Sequence, residues 1–111
     1  MNIQIFGTKK SADTRKAERF FKERRIRFQF IDLSDKGISR GELTSVISAV
    51  GGIDRLIDDK DADFAALMSV LVPEQKIDKL LERQDAIIQP IVRNGRAATV
   101  GYQPEIWKGW Q

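Results

Sequence analysis

The chain has 111 residues, 41 % of them apolar and 32 % charged, with a formal net charge of +3. That is enough apolar material for one core, and too small a charge excess to argue for a polyanionic partner. Cysteine and histidine are both absent from the sequence, which excludes disulfides, thiolate nucleophiles, zinc–thiolate sites and imidazole acid–base chemistry.

Residues 2–6 alternate in character and end at Gly7, which predicts a first strand. Ser11 follows as a natural N-cap, and Ala17, Phe20 and Phe21 recur at helical spacing among charged neighbours, so an amphipathic helix is predicted over about residues 12–25. Residues 27–31, within RFQFID, read as a second strand with Phe28 and Phe30 on one face. Strand, helix and strand in that order imply a parallel pair with a right-handed crossover. Ser39 and Glu42 form a capping box, and Leu43, Val46, Ile47 and Val50 make an apolar helix face that stops at Gly51 and Gly52. Phe64, Leu67, Met68 and Leu71 form another such face, and Pro73 opens a helix whose Ile77, Leu80 and Leu81 point inward. Together these helices make an insertion over about residues 39–88. Strands are predicted near 91–94 and 97–100, with Asn94-Gly95 suited to a tight hairpin turn, and a last short helix starts at Pro104. The order predicts one α/β (α+β) domain over residues 1–111 with a thioredoxin-like fold, a four-stranded mixed sheet carrying a helical insertion.

No apolar run approaches the roughly 18 residues that span a bilayer. The opening MNIQIFGTKK places a strand where a secretory signal needs a basic start and a long apolar stretch. A cytoplasmic protein without a membrane partner is expected.

The loop into the first helix holds the candidate chemistry. Lys9, Lys10, Ser11 and Arg15, with the helix N-terminus, could hold a phosphate, sulfate or carboxylate, although Asp13 in the first turn already complements the dipole. As a nucleophile Ser11 would need a base, for which only Asp13, Lys9 and Lys10 are near; capping the helix is the simpler use. KERRIR, residues 22–27, is the densest basic run. With Glu18 and Glu23 on the same helix and no interleaved aromatic residues, it reads as a solvated helix end rather than a nucleic-acid surface. DDKDAD, residues 58–63, lacks the glycine and terminal glutamate of a calcium loop, so helix capping is expected there and no metal. Trp107 and Trp110 either seal a core edge or anchor a partner.

The frame IFGTKKSADTRKAERFFKERRIRFQFIDL, with Arg15-Lys16-Ala17 and Ile26-Arg27-Phe28, resembles the opening of the glutaredoxin-linked arsenate reductases and of the Spx-type regulators of bacterial RNA polymerase, ArsC-like proteins of the thioredoxin superfamily. GGIDRLI, PIVRNG and VGYQPEI are similar to their later landmarks and stand in the same order, so the resemblance spans nearly the whole chain. It places the family's nucleophilic cysteine at Ser11 and the second cysteine of the Spx pattern at Thr14. The arginine before the family's proline falls on Gln89, and its basic residues fall on Asp58 and Asp59, with Lys60 still positive. Pro90 takes the position of a cis-proline that presents backbone groups to a peptide or glutathione. The resemblance thus implies a divergent, redox-inactive member with no catalytic residue, a binding or regulatory module whose partner is a protein, RNA polymerase being the one the resemblance supplies. Direct nucleic-acid contact is not expected. The alternative is a glutathione- or oxyanion-binding enzyme of the arsenate reductase family using Ser11 at the helix N-terminus. Its binding residues would be Lys9, Lys10, Ser11, Arg15, Gln89 and Pro90. No cofactor is expected beyond the glutathione of that alternative.

Overall fold

In the computed structural model, which describes residues 1–110, the first strand β1 (Ile3–Gly7) leads into α1 (Ala12–Glu23) and returns as β2 (Phe28–Asp32), parallel to β1. Next come α2 (Arg40–Val50), a 3-10 turn (Ile53–Leu56), α3 (Ala62–Ser69), α4 (Pro73–Glu82) and a second 3-10 turn (Gln84–Ala86). The hairpin β3 (Ile91–Asn94) and β4 (Ala97–Val100) follows, and α5 (Pro104–Lys108) comes last. The sheet order is β2-β1-β3-β4, with β3 antiparallel to both neighbours. This is the predicted four-stranded mixed sheet of a thioredoxin-like fold. Among the described residues, no helix is long and apolar enough to cross a membrane.

Strand alternation divides the apolar residues between two layers. Ile3 and Ile5 of β1 and Val92 of β3 meet Ala17, Phe20 and Phe21 of α1 and Trp107 of α5 on one face. Phe6, Ile31 and Ile91 face the other way, onto Leu43, Val46, Leu56, Met68 and Leu80 of the helical segment. Phe28 and Phe30 pack on the α1 side, as their shared parity predicts.

Local signals decide where the elements stop. Ser39 and Glu42 close the expected capping box, with N–H···O distances of 3.2 and 2.9 Å, and α2 ends at Gly51, whose φ of 93° suits the left-handed cap. Asp61 caps α3 by accepting the Phe64 N–H at 3.1 Å, the role expected for the acidic run. α1 ends two residues before the predicted boundary because the chain forms a Schellman motif: Ile26 N–H bonds Phe21 O at 2.9 Å and Arg25 N–H bonds Lys22 O at 3.0 Å. Arg25 supplies the left-handed residue at φ 57°, where an L side chain costs about 1–2 kcal/mol. Arg25→Gly relieves that strain but loosens the unfolded chain, so a net gain of about 0.5 kcal/mol is expected, read as a higher urea midpoint at unchanged slope.

One turn differs from its expected form. The central pair of the hairpin is Gly95-Arg96, because Asn94 pairs with Ala97 across the ladder. Gly95 has φ 61° and Arg96 has no positive φ, so only the first central residue needs glycine's freedom, the requirement of a II′ turn.

Candidate functional site

The β1–α1 loop is tied down by its own side chains. Ser11 accepts the Thr14 N–H at 3.2 Å, the N-cap bond expected of it. Its own N–H bonds Thr8 O at 3.1 Å. The Arg15 guanidinium reaches back to Lys9 O at 2.6 Å, and the Lys9 ammonium sits between the two carboxylate oxygens of Glu18 at 2.7 and 2.8 Å, 4.4 Å from the centroid of Phe30.

From the far end of the chain Gln89 enters the loop. Its Oε1 accepts the Thr8 N–H at 2.6 Å, the Thr8 hydroxyl at 3.1 Å and the Thr14 hydroxyl at 3.3 Å. The Thr8 N–H and hydroxyl, two donors at the groove that could have faced a bound oxygen, are thereby engaged within the protein, together with the buried Thr14 hydroxyl. The Gln89–Pro90 peptide is cis, as the resemblance implies.

Outside this loop lies an open groove of about 1000 Å³, bounded by Lys9–Asp13, Asp32–Ser34, Asp58, Lys60, Asp85 and Ile87–Gln89. Three lysines line it against four aspartates, Asp13, Asp32, Asp58 and Asp85, and one of the lysines, Lys9, is already neutralised by Glu18. Hydrogen bonds from the Ser34 hydroxyl at 2.6 Å and its N–H at 2.8 Å hold Asp32 below the usual carboxylate range, and the Arg83 guanidinium holds Asp85 there through bonds of 2.9 and 3.0 Å. With Lys9 held by Glu18, Asp13 by Lys16 and Asp85 by Arg83, Lys10 and Lys60 are left against Asp32 and Asp58, so the groove has no excess of positive charge with which to collect an oxyanion.

The proposed anion-binding residues are therefore only partly gathered. Lys9, Lys10, Ser11 and Gln89 line the groove, whereas Arg15 and Pro90 do not; Pro90 is buried and Arg15 is spent on the loop backbone. Thr14, at the second cysteine position, is fully buried beneath the loop. The sequence pattern did not point to Glu18, Asp32 or Asp85. Glu18 is placed by chain order among the solvated charges of α1, yet it is 7 % exposed; it lies one residue after Ala17 and three before Phe21, so only its contact with Lys9 reveals its role. Trp107 is fully buried and Trp110 packs partly against the same cluster.

No protein-family model matches the sequence, and neither does any curated protein. Solved structures do match. A protein from Bacteroides fragilis described as ArsC family related superposes with a TM-score of 0.88 at 19 % identity, covering 100 % of this chain and 98 % of that one. An arsenate reductase from Vibrio cholerae gives 0.83 at 22 % identity, covering 96 % and 94 %. An arsenate reductase related protein from Brucella melitensis gives 0.69 at 18 %, covering 99 % and 94 %. The structural neighbours of this chain are thus ArsC-family arsenate reductases and related proteins, and it has their fold with no cysteine in its sequence.

Proposed function

We propose that this protein is a divergent, redox-inactive relative of the arsenate reductases and Spx-type regulators that acts as a binding or regulatory module through contact with a protein. The observation that carries the reading is the use of the loop's polar groups: the Ser11 hydroxyl caps α1 at 3.2 Å, and Gln89 Oε1 takes up three neighbouring donors. A serine hydroxyl stays protonated near neutral pH, and neither cysteine nor histidine is present to supply a thiolate or an imidazole base. RNA polymerase is the partner that the resemblance to the Spx-type proteins recommends for a first binding test. The alternative reading, an enzyme binding glutathione or an oxyanion at Ser11, has Lys10 as its one groove lysine near the helix N-terminus not held by a salt bridge among the described residues.

The test is a coupled assay with arsenate, glutathione, glutaredoxin and NADPH. Arsenate-dependent NADPH consumption is expected to stay at background. Turnover that disappears in Ser11→Ala would overturn the proposal in favour of the enzyme.

Reintroducing sulfur probes the loop itself. A thiolate at Ser11→Cys would accept the Thr14 N–H and lie at the positive end of α1, so it is expected to titrate below about 8.5 and to alkylate a few-fold faster than an exposed model thiol. Asp13 and Asp32, which border the same groove, limit the shift. A titration at or above the model value would show that the helix N-terminus does not act on this position.

A further inference from the structure

The sheet separates charge of opposite sign. Residues 1–27 carry nine cations and three acids, a net +6, whereas residues 28–85 carry seven cations and twelve acids, a net −5; residues 86–111 add three cations and one acid. The first and last segments supply α1 and α5 on one face of the sheet, and the middle one supplies α2, α3 and α4 on the other. Glu18 is buried against Lys9 and neutralises it, which leaves eight cations against two acids in the first segment and the same net charge.

Between α1 and α5 runs a groove of about 520 Å³ that shares no lining residue with the groove at Ser11. Its cations are Lys16, Arg19, Arg24 and Lys108, against Glu23 and Glu105. Lys16 pairs with Asp13 at 3.8 Å and Lys108 with Glu105 at 3.1 Å, which leaves Arg19 and Arg24 unpaired among the described residues. The Arg24 guanidinium is pre-positioned: Nη1 donates to Phe20 O at 3.2 Å and the group lies 3.7 Å from the Phe20 ring centroid. Its remaining N–H donors are free for a two-pronged bond to a carboxylate. Among these charges Tyr102, which lines the groove, is 40 % exposed, an aromatic margin that a purely ionic site does not need.

The geometry points to this α1–α5 groove as the docking surface for an acidic protein segment that carries an apolar or aromatic anchor. The inference rests on the reading that the protein works by contact, and it adds where and with what chemistry. A nucleic acid fits less well. The Phe20 ring is covered by Arg24, which leaves Tyr102 as a single exposed ring lining the groove, where a single strand stacks successive bases on several. Glu23 and Glu105 would also face an unbroken row of phosphates, whereas a peptide can place apolar or basic side chains opposite them.

The probe is a glutamate-rich peptide with a single phenylalanine, titrated into the ¹⁵N-labelled full chain. Saturable binding is expected, with amide shifts concentrated in the second half of α1 and in residues 102–108, and with affinity falling as salt rises. The Arg19→Glu/Arg24→Glu variant is expected to bind about tenfold or more weakly, while Lys36→Glu, a reversal of an exposed lysine outside the groove, binds as the parent does; an unchanged amide spectrum away from the groove confirms that both variants fold. Shifts centred on the Ser11 groove, indifference to the double reversal, no saturable binding, or tighter binding of an oligothymidylate would each overturn the inference. Arsenate turnover, by contrast, would remove the contact reading itself, so the two failures are distinguishable.

Discussion

Trp107→Ala is expected to cost about 3–5 kcal/mol of stability, a large part of the roughly 5–15 kcal/mol available to a domain. The indole is fully buried and makes three aromatic contacts, with Phe20 and Phe21 at 5.3 Å and Tyr102 at 5.6 Å between ring centroids. It joins α5 to α1 over the sheet face that carries Ile3, Ile5 and Val92. Its Nε1–H also donates to the Thr99 hydroxyl at 2.8 Å, and Thr99 is itself buried. Trp107→Phe keeps most of the apolar contact but leaves that hydroxyl without its donor, so an intermediate loss of about 1–3 kcal/mol is expected. Urea unfolding followed by far-ultraviolet circular dichroism measures both. A loss under about 1 kcal/mol for the alanine variant would mean that α5 contributes little to the core, and the α1–α5 groove would then lose its fixed wall.

What the sequence makes legible here is what local pattern controls. The alternation of Ile3 and Ile5, the i, i+3, i+4 spacing of Ala17, Phe20 and Phe21, and the Ser39–Glu42 box each concern residues within a turn or two of one another, and each is realised. The exit from α1 is legible only afterwards, since the left-handed position is held by Arg25 where a glycine would have announced it. The shift of the hairpin turn to Gly95-Arg96 is a matter of register, settled by the pairing of β3 with β1 as well as by the dipeptide. At the candidate site the limits are those of distance along the chain. Gln89 meets Thr8 and Thr14 across 81 and 75 residues, and nothing in the neighbourhood of Gln89 indicates which donors its amide will take. The same holds for the acids of the groove: Asp32, Asp58 and Asp85 come from three separate segments, so their joint effect on a ligand emerges only when the sheet assembles.

Gly7→Ala is expected to destabilise the protein by about 1–3 kcal/mol through overpacking, and Thr14→Ala in the same chain is expected to recover much of that loss. Gly7 ends β1, pairs with Asp32 and accepts the Leu33 N–H at 3.0 Å, so its backbone is fixed by the sheet. A methyl group there would run into Thr14 Oγ1 and approach Cγ2 to 2.7 Å and Cβ to 3.1 Å. Thr14 has little room to yield. It is fully buried in the first turn of α1, and its hydroxyl is bonded to Gln89. Removing Oγ1 and Cγ2 leaves only the Cβ approach, which a shift of a few tenths of an ångström relieves. The two substitutions should therefore couple favourably, with the double variant more stable than the sum of the single losses predicts by at least about 1 kcal/mol. Additive losses would show that the strand and helix adjust independently. The same pair reads out on the site, because α1 is what carries Ser11. In a Ser11→Cys background, Gly7→Ala alone should push the helix N-terminus off its seat and move the thiol titration back toward about 8.5, and adding Thr14→Ala should lower it again.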